Sequence, residues 1–399
     1  MSAPSTYGLC TASFVTDVTV ANVLSSLPIG LSVALLLTPV VRLLARKLGA
    51  VDHPGERRVH DRVVPRLGGV AVYSAFWLGF FGLSLSSGLG SSDRAMLSGF
   101  AMGSVILFMV GVYDDLKDAP AGLRFCIQFA VAHLAYVSGF RFFLIGELFS
   151  GFAPTAVISL LDYVLTLFWI VGIVNAVNFM DGLDFLCAGM SLTATVSLAI
   201  ISAVSGQTVF VPLYLLLIGV LLGFGFFNRP PASIFLGDSG STFLGFFLAC
   251  FSLHQSHLAS GGTGAVFIPF VLLVVPLFDT LYAIVRRLYL GVSPFSADRG
   301  HLHHRLLVEF GDARMAVCSI CVATGVAGLT GVGLSRAAPL WSGLLLCCLA
   351  LALGWTIRRL GLFDPDVMRA GRCNETCQPL GPLMSRNDQS GAGVPGDCR

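Results

Sequence analysis

What this chain has least of is charge: Asp, Glu, Lys and Arg make up only 12% of its 399 residues, against 55% hydrophobic. A soluble globular domain carries about twice that share of charge, so a water-soluble fold is excluded. The formal net charge of +2 supplies no basic field for a polyanion, and nucleic acid drops out as a partner. No polar stretch is long enough to fold alone, no repeat of roughly 20–50 residues is visible, and inverted-repeat symmetry of the transporter kind is missing. The first ~20 residues lack the basic segment of a cleaved signal, so the first apolar run is expected to stay as a span. A disulfide framework is absent too. The eleven cysteines are scattered, mostly inside apolar runs, where they act as small hydrophobes. Cys318 and Cys321 form a CxxC in mid-helix that reads as packing, and Cys373 with Cys377 is too isolated for a metal site.

What the chain does have is apolar length. A spanning helix needs roughly 20 predominantly apolar residues, and windows near 23–45, 67–87, 95–113, 125–145, 157–176, 185–204, 208–227, 239–258, 264–285, 314–334 and 339–357 supply it. The expected fold is therefore all-α, a polytopic transmembrane bundle of about eleven spans. If the windows alternate sides, nearly all Lys and Arg fall in the segments 46–66, 114–124, 177–184, 228–238, 286–313 and the tail. The opposite segments hold little beyond Arg94, Arg141 and Arg336. The positive-inside rule then places the rich side in the cytoplasm, the N-terminus outside and the C-terminus inside, in a bacterial inner membrane. Residues 1–360 read as one integral-membrane domain. Residues 361–399, rich in Gly, Pro, Asn and Ser without an apolar period, read as a disordered cytoplasmic tail.

Every chemically suggestive cluster falls on the basic side. Asp114, Asp115 and Asp118 stand where the third window meets water, and Asp114 and Asp118 share a face if the helix continues. Like charges so close call for a proton or a hard divalent cation, although a solvated helix end is the plain alternative. Asn175, Asn178, Asp181 and Asp184 recur every three residues at the end of an apolar span, with Gly182 free to unwind the chain. Such groups in a span are costly and usually functional, interhelical glue being the other reading. In the segment from Asn228 to Ser241, Gly237-Asp238-Ser239-Gly240-Ser241 offers a carboxylate, backbone N–H groups and hydroxyls at a helix start. That suits an anion and a bridging metal, or simply a cap. His301, His303, His304 and Arg305, with Arg299 just before them, are many donors for phosphate. Zinc is disfavoured there because no cysteine is near and the arginines oppose a second cation. Finally, Asp52 to His60 with Pro65-Arg66-Leu67-Gly68-Gly69 forms a basic loop at the membrane surface, suited to topology, anionic lipid or a headgroup.

Carboxylates for a hard metal, a His/Arg cluster for phosphates and a place at the lipid boundary point to phosphoryl transfer involving a lipid. Over about residues 25–360 these ordered motifs resemble the polyprenyl-phosphate N-acetylhexosamine-1-phosphate transferase family. They are closer to its undecaprenyl-phosphate GlcNAc-1-phosphate branch than to phospho-MurNAc-pentapeptide transferase. The resemblance implies transfer of N-acetylhexosamine-1-phosphate from a UDP-sugar to undecaprenyl phosphate within the membrane lipid, releasing UMP and starting an O-antigen type or related surface glycan. It implies Mg2+ as cofactor, with Mn2+ as a substitute, and a homodimer among the possible assemblies.

By motif, the resemblance gives Asp114, Asp115 and Asp181 catalytic roles and makes Asp238, Asn178 and Asp181 the metal site. Asp184 and Phe235 match positions that hold uracil. His301, His303, His304 and Arg305 match the loop that grips the sugar diphosphate, and Arg124, Arg58 and His60 would face the lipid phosphate. Two positions depart from the family pattern: Phe185 replaces a glycine, and Gly122 stands where relatives often carry lysine. A lipid-linked-sugar transporter is the competing class, and would place ionisable residues at mid-bilayer. Only Asp162 and Asp279 come near that description.

Overall fold

Inside a bilayer no water is available to the backbone, so an apolar run satisfies its N–H and C=O groups by coiling on itself. The computed structural model, which describes residues 10–52, 63–85, 89–149, 151–258, 264–293 and 301–362, is helical throughout these windows. Its helices are α1 (Cys10–Lys47), α2 (Gly68–Gly82), α3 (Ser91–Lys117), α4 (Ala121–Ser138), α5 (Leu144–Phe149), α6 (Thr155–Phe179), α7 (Leu186–Val204) and α8 (Val211–Asn228). They continue as α9 (Gly237–Leu258), α10 (Ile268–Leu272), α11 (Val274–Tyr289), α12 (Leu302–Phe310), α13 (Ala313–Leu334) and α14 (Pro339–Arg359). Each expected window holds a helix, but among the described residues eight helices are long and apolar enough to cross a membrane, or nine if α10 and α11, bent by 64°, form one broken span. The break has a local cause: Pro276 has no N–H to offer the carbonyl of Leu272. Helix α2, with 15 residues, is short for a full crossing.

Helix α9 forms the axis of the bundle and packs against α2, α3, α6, α7 and α10. Its Phe243, Phe246, Phe247 and Phe251 are fully buried, as are Phe76 of α2 and Phe100 of α3. Phe100 stacks on Phe246 with ring centroids 5.4 Å apart. Its middle stretch, residues 243–251, is apolar on every side and belongs in such a centre. Helix α1 runs along α8, and the seam is lined by Gly30, Gly219 and Gly223, where any β-carbon would meet the opposing backbone. Small residues at a helix crossing serve this close approach in membranes. Helix α14 lies outermost and is almost entirely unburied.

Two short strands, β1 (Val51–Asp52) and β2 (Val64–Pro65), pair antiparallel just before α2. The segment between them carries Arg58 and His60, which lie outside the described residues. So do Arg299 and the tail from residue 363 onward. Asp162, one of the two acids that a transporter would have used, is buried and accepts hydrogen bonds from the Ile145 and Gly146 N–H groups at 2.9 and 3.3 Å. It caps the first turn of α5.

Candidate active site

The site is built around the N-terminus of α9. The strand-like segment before it is stitched to the entry of α2: the Phe235 N–H donates to the Pro65 carbonyl at 2.8 Å, and Gly68 N–H to the Phe235 carbonyl at 2.8 Å. Gly237 then turns the chain with φ +75°, and a β-carbon there would lie 2.6 Å from Asp115 Oδ1. Only glycine meets both demands. Asp115, at the end of α3, accepts from the Asp238 N–H (2.8 Å), the Ser239 N–H (3.1 Å) and the Ser239 hydroxyl (2.7 Å). It thus occupies the anion position at a helix N-terminus, where orphan N–H groups and the helix dipole both favour negative charge.

Glycines let the three helices come this close. A β-carbon on Gly111 of α3 would lie 2.5 Å from Ser239 Cα, and one on Gly69 of α2 would lie 2.5 Å from Gly240 Cα. Both obstacles are backbone and cannot move aside. Gly69→Ala is therefore expected to cost about 3 kcal/mol of stability and to inactivate the protein, read by thermal unfolding of the detergent-purified variant. An unchanged midpoint would contradict this packing.

The turn after α6 supplies the second wall. The Asn178 side-chain N–H group donates to Asp238 Oδ1 at 2.6 Å and to the Ser241 hydroxyl at 3.0 Å. Asp181 Oδ2 accepts from the Gly237 N–H at 3.0 Å, and Asp184 Oδ2 from the Ala232 N–H at 2.8 Å. Asn175 faces the other way and pairs with Gln128 of α4 at 2.6 Å, so of the four oxygen-bearing residues it is the one that joins helices. Burial, then the charges of Asp238 and Asp115, hold the Asp181 carboxyl well above the ordinary carboxylate range, with Arg66 pulling weakly the other way. Asp238 is pushed up to about 7 by burial, contact with the Asp114 carboxyl and the charge of Asp115.

Asp114 closes the cluster from α3. It accepts from the Ala119 N–H at 2.6 Å and forms a close ion pair with Arg124 in the first turn of α4. The helix does not continue through Asp118, the condition on which the two acids would have shared a face. It ends at Lys117, with Asp118 at φ 52° beyond it, so Asp114 and Asp118 do not share a helical face. Gly122 is exposed, and a β-carbon there would meet nothing within 4 Å, which leaves room for a longer side chain beside Arg124.

The histidine loop reaches the same cluster. Asp279 of α11 is fully buried, accepts from the Leu302 N–H at 2.5 Å and pairs with His301 Nδ1 at 2.8 Å. This fixes the start of α12 and the His301 imidazole. His303 stands so close to Gly182 that a β-carbon there would overlap its ring. His303 is 1% exposed, and neither ring nitrogen has a hydrogen-bond partner among the described residues. Burial and the neighbouring His304 and His301 lower its pKa to about 3, so it is a neutral imidazole with one N–H to give. His304 packs on it with ring centroids 4.3 Å apart, and Arg305 follows, half-buried. Phe235 and Asp184 are likewise half-buried at the rim.

Asp279 and Arg66 are two charged residues that sequence reasoning did not place among the site residues. The signal for Asp279 was an acid in an apolar helix two turns from its basic end; for Arg66, its place in the basic loop before Gly68-Gly69.

Among the described residues, no three His, Cys, Asp or Glu side chains form a ready-made metal cage. Mg2+ rarely needs one, since it uses one or two carboxylates together with water and substrate phosphates. Three mutually repelling carboxyls, of which Asp181 and Asp238 each spend one oxygen on a protein N–H, fit that requirement.

A neutral imidazole and clustered acids at the end of a helical membrane bundle describe a multi-pass enzyme that handles phosphate. The family model for glycosyl transferase family 4 matches residues 97–256, which include Asp114, Asp115, Asn178, Asp181, Asp184, Phe235 and Asp238. A probable undecaprenyl-phosphate N-acetylglucosaminyl 1-phosphate transferase of Bacillus subtilis is 36% identical over 319 residues, covering 79% of this chain and 86% of that protein. A decaprenyl-phosphate N-acetylglucosaminephosphotransferase of Mycobacterium tuberculosis is 34% identical over 325 residues, 75% of this chain and 80% of that one. The undecaprenyl-phosphate alpha-N-acetylglucosaminyl 1-phosphate transferase of Escherichia coli is 30% identical over 328 residues, 80% and 86% of the two chains. The chain belongs to the polyprenyl-phosphate N-acetylhexosamine-1-phosphate transferase family.

Proposed function

We propose that this protein transfers GlcNAc-1-phosphate, or the 1-phosphate of a related N-acetylhexosamine, from its UDP-sugar to undecaprenyl phosphate. UMP is released at the cytoplasmic face of a bacterial inner membrane, and the product starts an O-antigen type or related surface glycan. The observation that carries the reading is the meeting of Asp115, Asp181 and Asp238 at the α9 N-terminus with a buried, unpartnered His303 beside them. The names of the relatives favour GlcNAc over MurNAc-pentapeptide.

In this mechanism an oxygen of the lipid phosphate attacks the sugar-bearing phosphorus, a new P–O bond forms, and the bond to UMP breaks. Asp181 and Asp238 would hold Mg2+, which supplies charge neutralisation for the diphosphate. Asn178 aims Asp238 by its hydrogen bond. The Arg124–Asp114 pair opens when the lipid phosphate arrives: the guanidinium turns to the phosphate, and Asp114 is left to take its proton. Asp115, with both oxygens bound to α9, keeps the helix in place and is not free to act as a nucleophile, which favours direct transfer. His303 donates its N–H to a diphosphate oxygen with His304 and Arg305 alongside, and Asp184 and Phe235 line the uracil side. A transporter is disfavoured because Asp162 caps α5 and Asp279 serves the histidine loop, so neither acid is left for a mid-membrane relay.

Purified protein incubated with undecaprenyl phosphate, Mg2+ and a panel of UDP-sugars is expected to release UMP with UDP-GlcNAc or a close analogue. Release must require both the lipid and the sugar nucleotide; UMP release with neither dependence, or none with any UDP-sugar, would reject the reading.

The raised carboxyls give a second test. Asp181 and Asp238 hold protons more tightly in the folded state, so the stability they contribute is complete below the unfolded carboxylate range, about pH 4. It is lost as pH rises through about 7, the value for Asp238. A cation relieves the repulsion only where the acids are ionised. Millimolar Mg2+ should raise the unfolding midpoint by about 3 °C or more near pH 8 and by about 1 °C or less near pH 5. Equal shifts at the two pH values would count against Mg2+ at these acids.

A further inference from the structure

Phe185 is the residue between the Asp181–Asp184 turn and α7, and its backbone has φ 65°, a left-handed conformation that disfavours any residue with a β-carbon. Such a conformation persists where the surroundings over-determine it, and here they do so from three sides. The ring lies in a slot between α7 and α8 that two glycines leave open: a β-carbon on Gly189 would stand 2.9 Å from Phe185 Cε1, and one on Gly225 would stand 2.5 Å from Cε2. The Phe185 N–H donates to Asn228 Oδ1 at 3.0 Å, and the Asn228 side-chain N–H donates in turn to the Ile234 carbonyl at 2.9 Å. The Phe185 carbonyl accepts from the Gly189 N–H at 2.8 Å, opening α7.

These contacts join the two acid-bearing loops. On one side stand Asp181 and Asp184; on the other, the segment from Asn228 to Asp238, already tied back by Ala232 N–H to Asp184. We propose that Phe185 is a positioning residue, a joint whose ring, locked between Gly189 and Gly225, sets the register of the Asp181–Asp184 turn against the loop carrying Asp238. The bulky side chain standing at a glycine position of the family pattern is packed between Gly189 of α7 and Gly225 of α8. It acts through the two carboxylates rather than on the sugar.

The proposal rests on the function above for its kinetic readout and has a second readout that does not. Phe185→Ala empties the slot while keeping the strained backbone, Phe185→Leu refills most of it, and Gly225→Ala pushes a methyl into the ring. Per folded molecule, F185A and G225A are expected to lower kcat/KM for UMP release by about tenfold or more, and F185L to stay within about threefold of the wild type, since small displacements of catalytic groups are costly. A kcat/KM within about twofold of the wild type in both F185A and G225A would overturn the proposal.

Hydrogen exchange gives the independent readout. In F185A, or in G225A if F185A does not purify folded, amides of residues 181–186 and 232–238 should lose protection together. Faster exchange confined to 181–186, or unchanged exchange in both segments, would overturn the joint. A wild type that releases no UMP would reject the function while leaving this exchange test standing.

Discussion

Asp238→Asn is expected to lower UMP release by about three orders of magnitude and to leave the bundle as stable as before, or slightly more so. The asymmetry follows from the surroundings of this carboxyl. Burial first, then contact with the Asp114 carboxyl and the charge of Asp115, push its pKa up to about 7. Removing its charge relieves repulsion, and the amide oxygen of the new residue can still accept from Asn178 where Asp238 Oδ1 does now. What is lost, on the proposed function, is the anionic oxygen for a cation and its pyrophosphate. Unfolding midpoint and turnover measured on one preparation check both halves; a D238N protein with near-normal turnover, or one that no longer folds, would contradict this role.

Asp115→Asn is expected to lose both activity and stability, although the chemical change is the same. Asp115 is 6% exposed, and its two oxygens receive three hydrogen bonds from the first turn of α9. An amide there must aim an N–H group at another N–H or at a hydroxyl. The cost is about 3 kcal/mol for the lost charge-assisted bonds and the unsatisfied buried donor. The start of α9 then shifts, and with it Asp238, whose backbone N–H is one of those donors. D115N should therefore unfold several degrees lower than the wild type and turn over at background. An inactive D115N with an unchanged midpoint would assign Asp115 to the chemistry rather than to the helix start. The pair of variants thus tests apart Asp115, which the sequence reading made catalytic, and Asp238, which it made a metal ligand; in the structure it is Asp115 that serves the helix start.

That separation shows where sequence reading stops. The helices were legible because apolar length and the need to satisfy the backbone inside a membrane leave few alternatives. The acid and histidine clusters were legible because side chains so costly near a membrane are rarely accidental. The choice of partner was not. Asp115 bonds to a helix start more than a hundred residues further along the chain, Arg124 turns back to Asp114, and Asp279 holds His301 rather than crossing charge through the bilayer. Each depends on which helix ends meet, and no local pattern encodes that. The break at Leu273 lies within the single window 264–285, where apolar length alone does not show that Pro276 interrupts the helix. The glycines are a middle case: Gly68-Gly69 suggested close approach at the membrane surface, and the structure brings α2 onto α9 there, but as helix packing.

On the proposed function, Asp181 and Asp238 face one cation-binding space at the start of α9. Electron paramagnetic resonance of Mn2+ added to the purified protein with UDP tests it most directly. About one tightly bound ion per chain is expected in the wild type, lost in both Asp181→Asn and Asp238→Asn and retained in Asp162→Asn at the far end of the bundle. Binding that survives in D181N and D238N would contradict it.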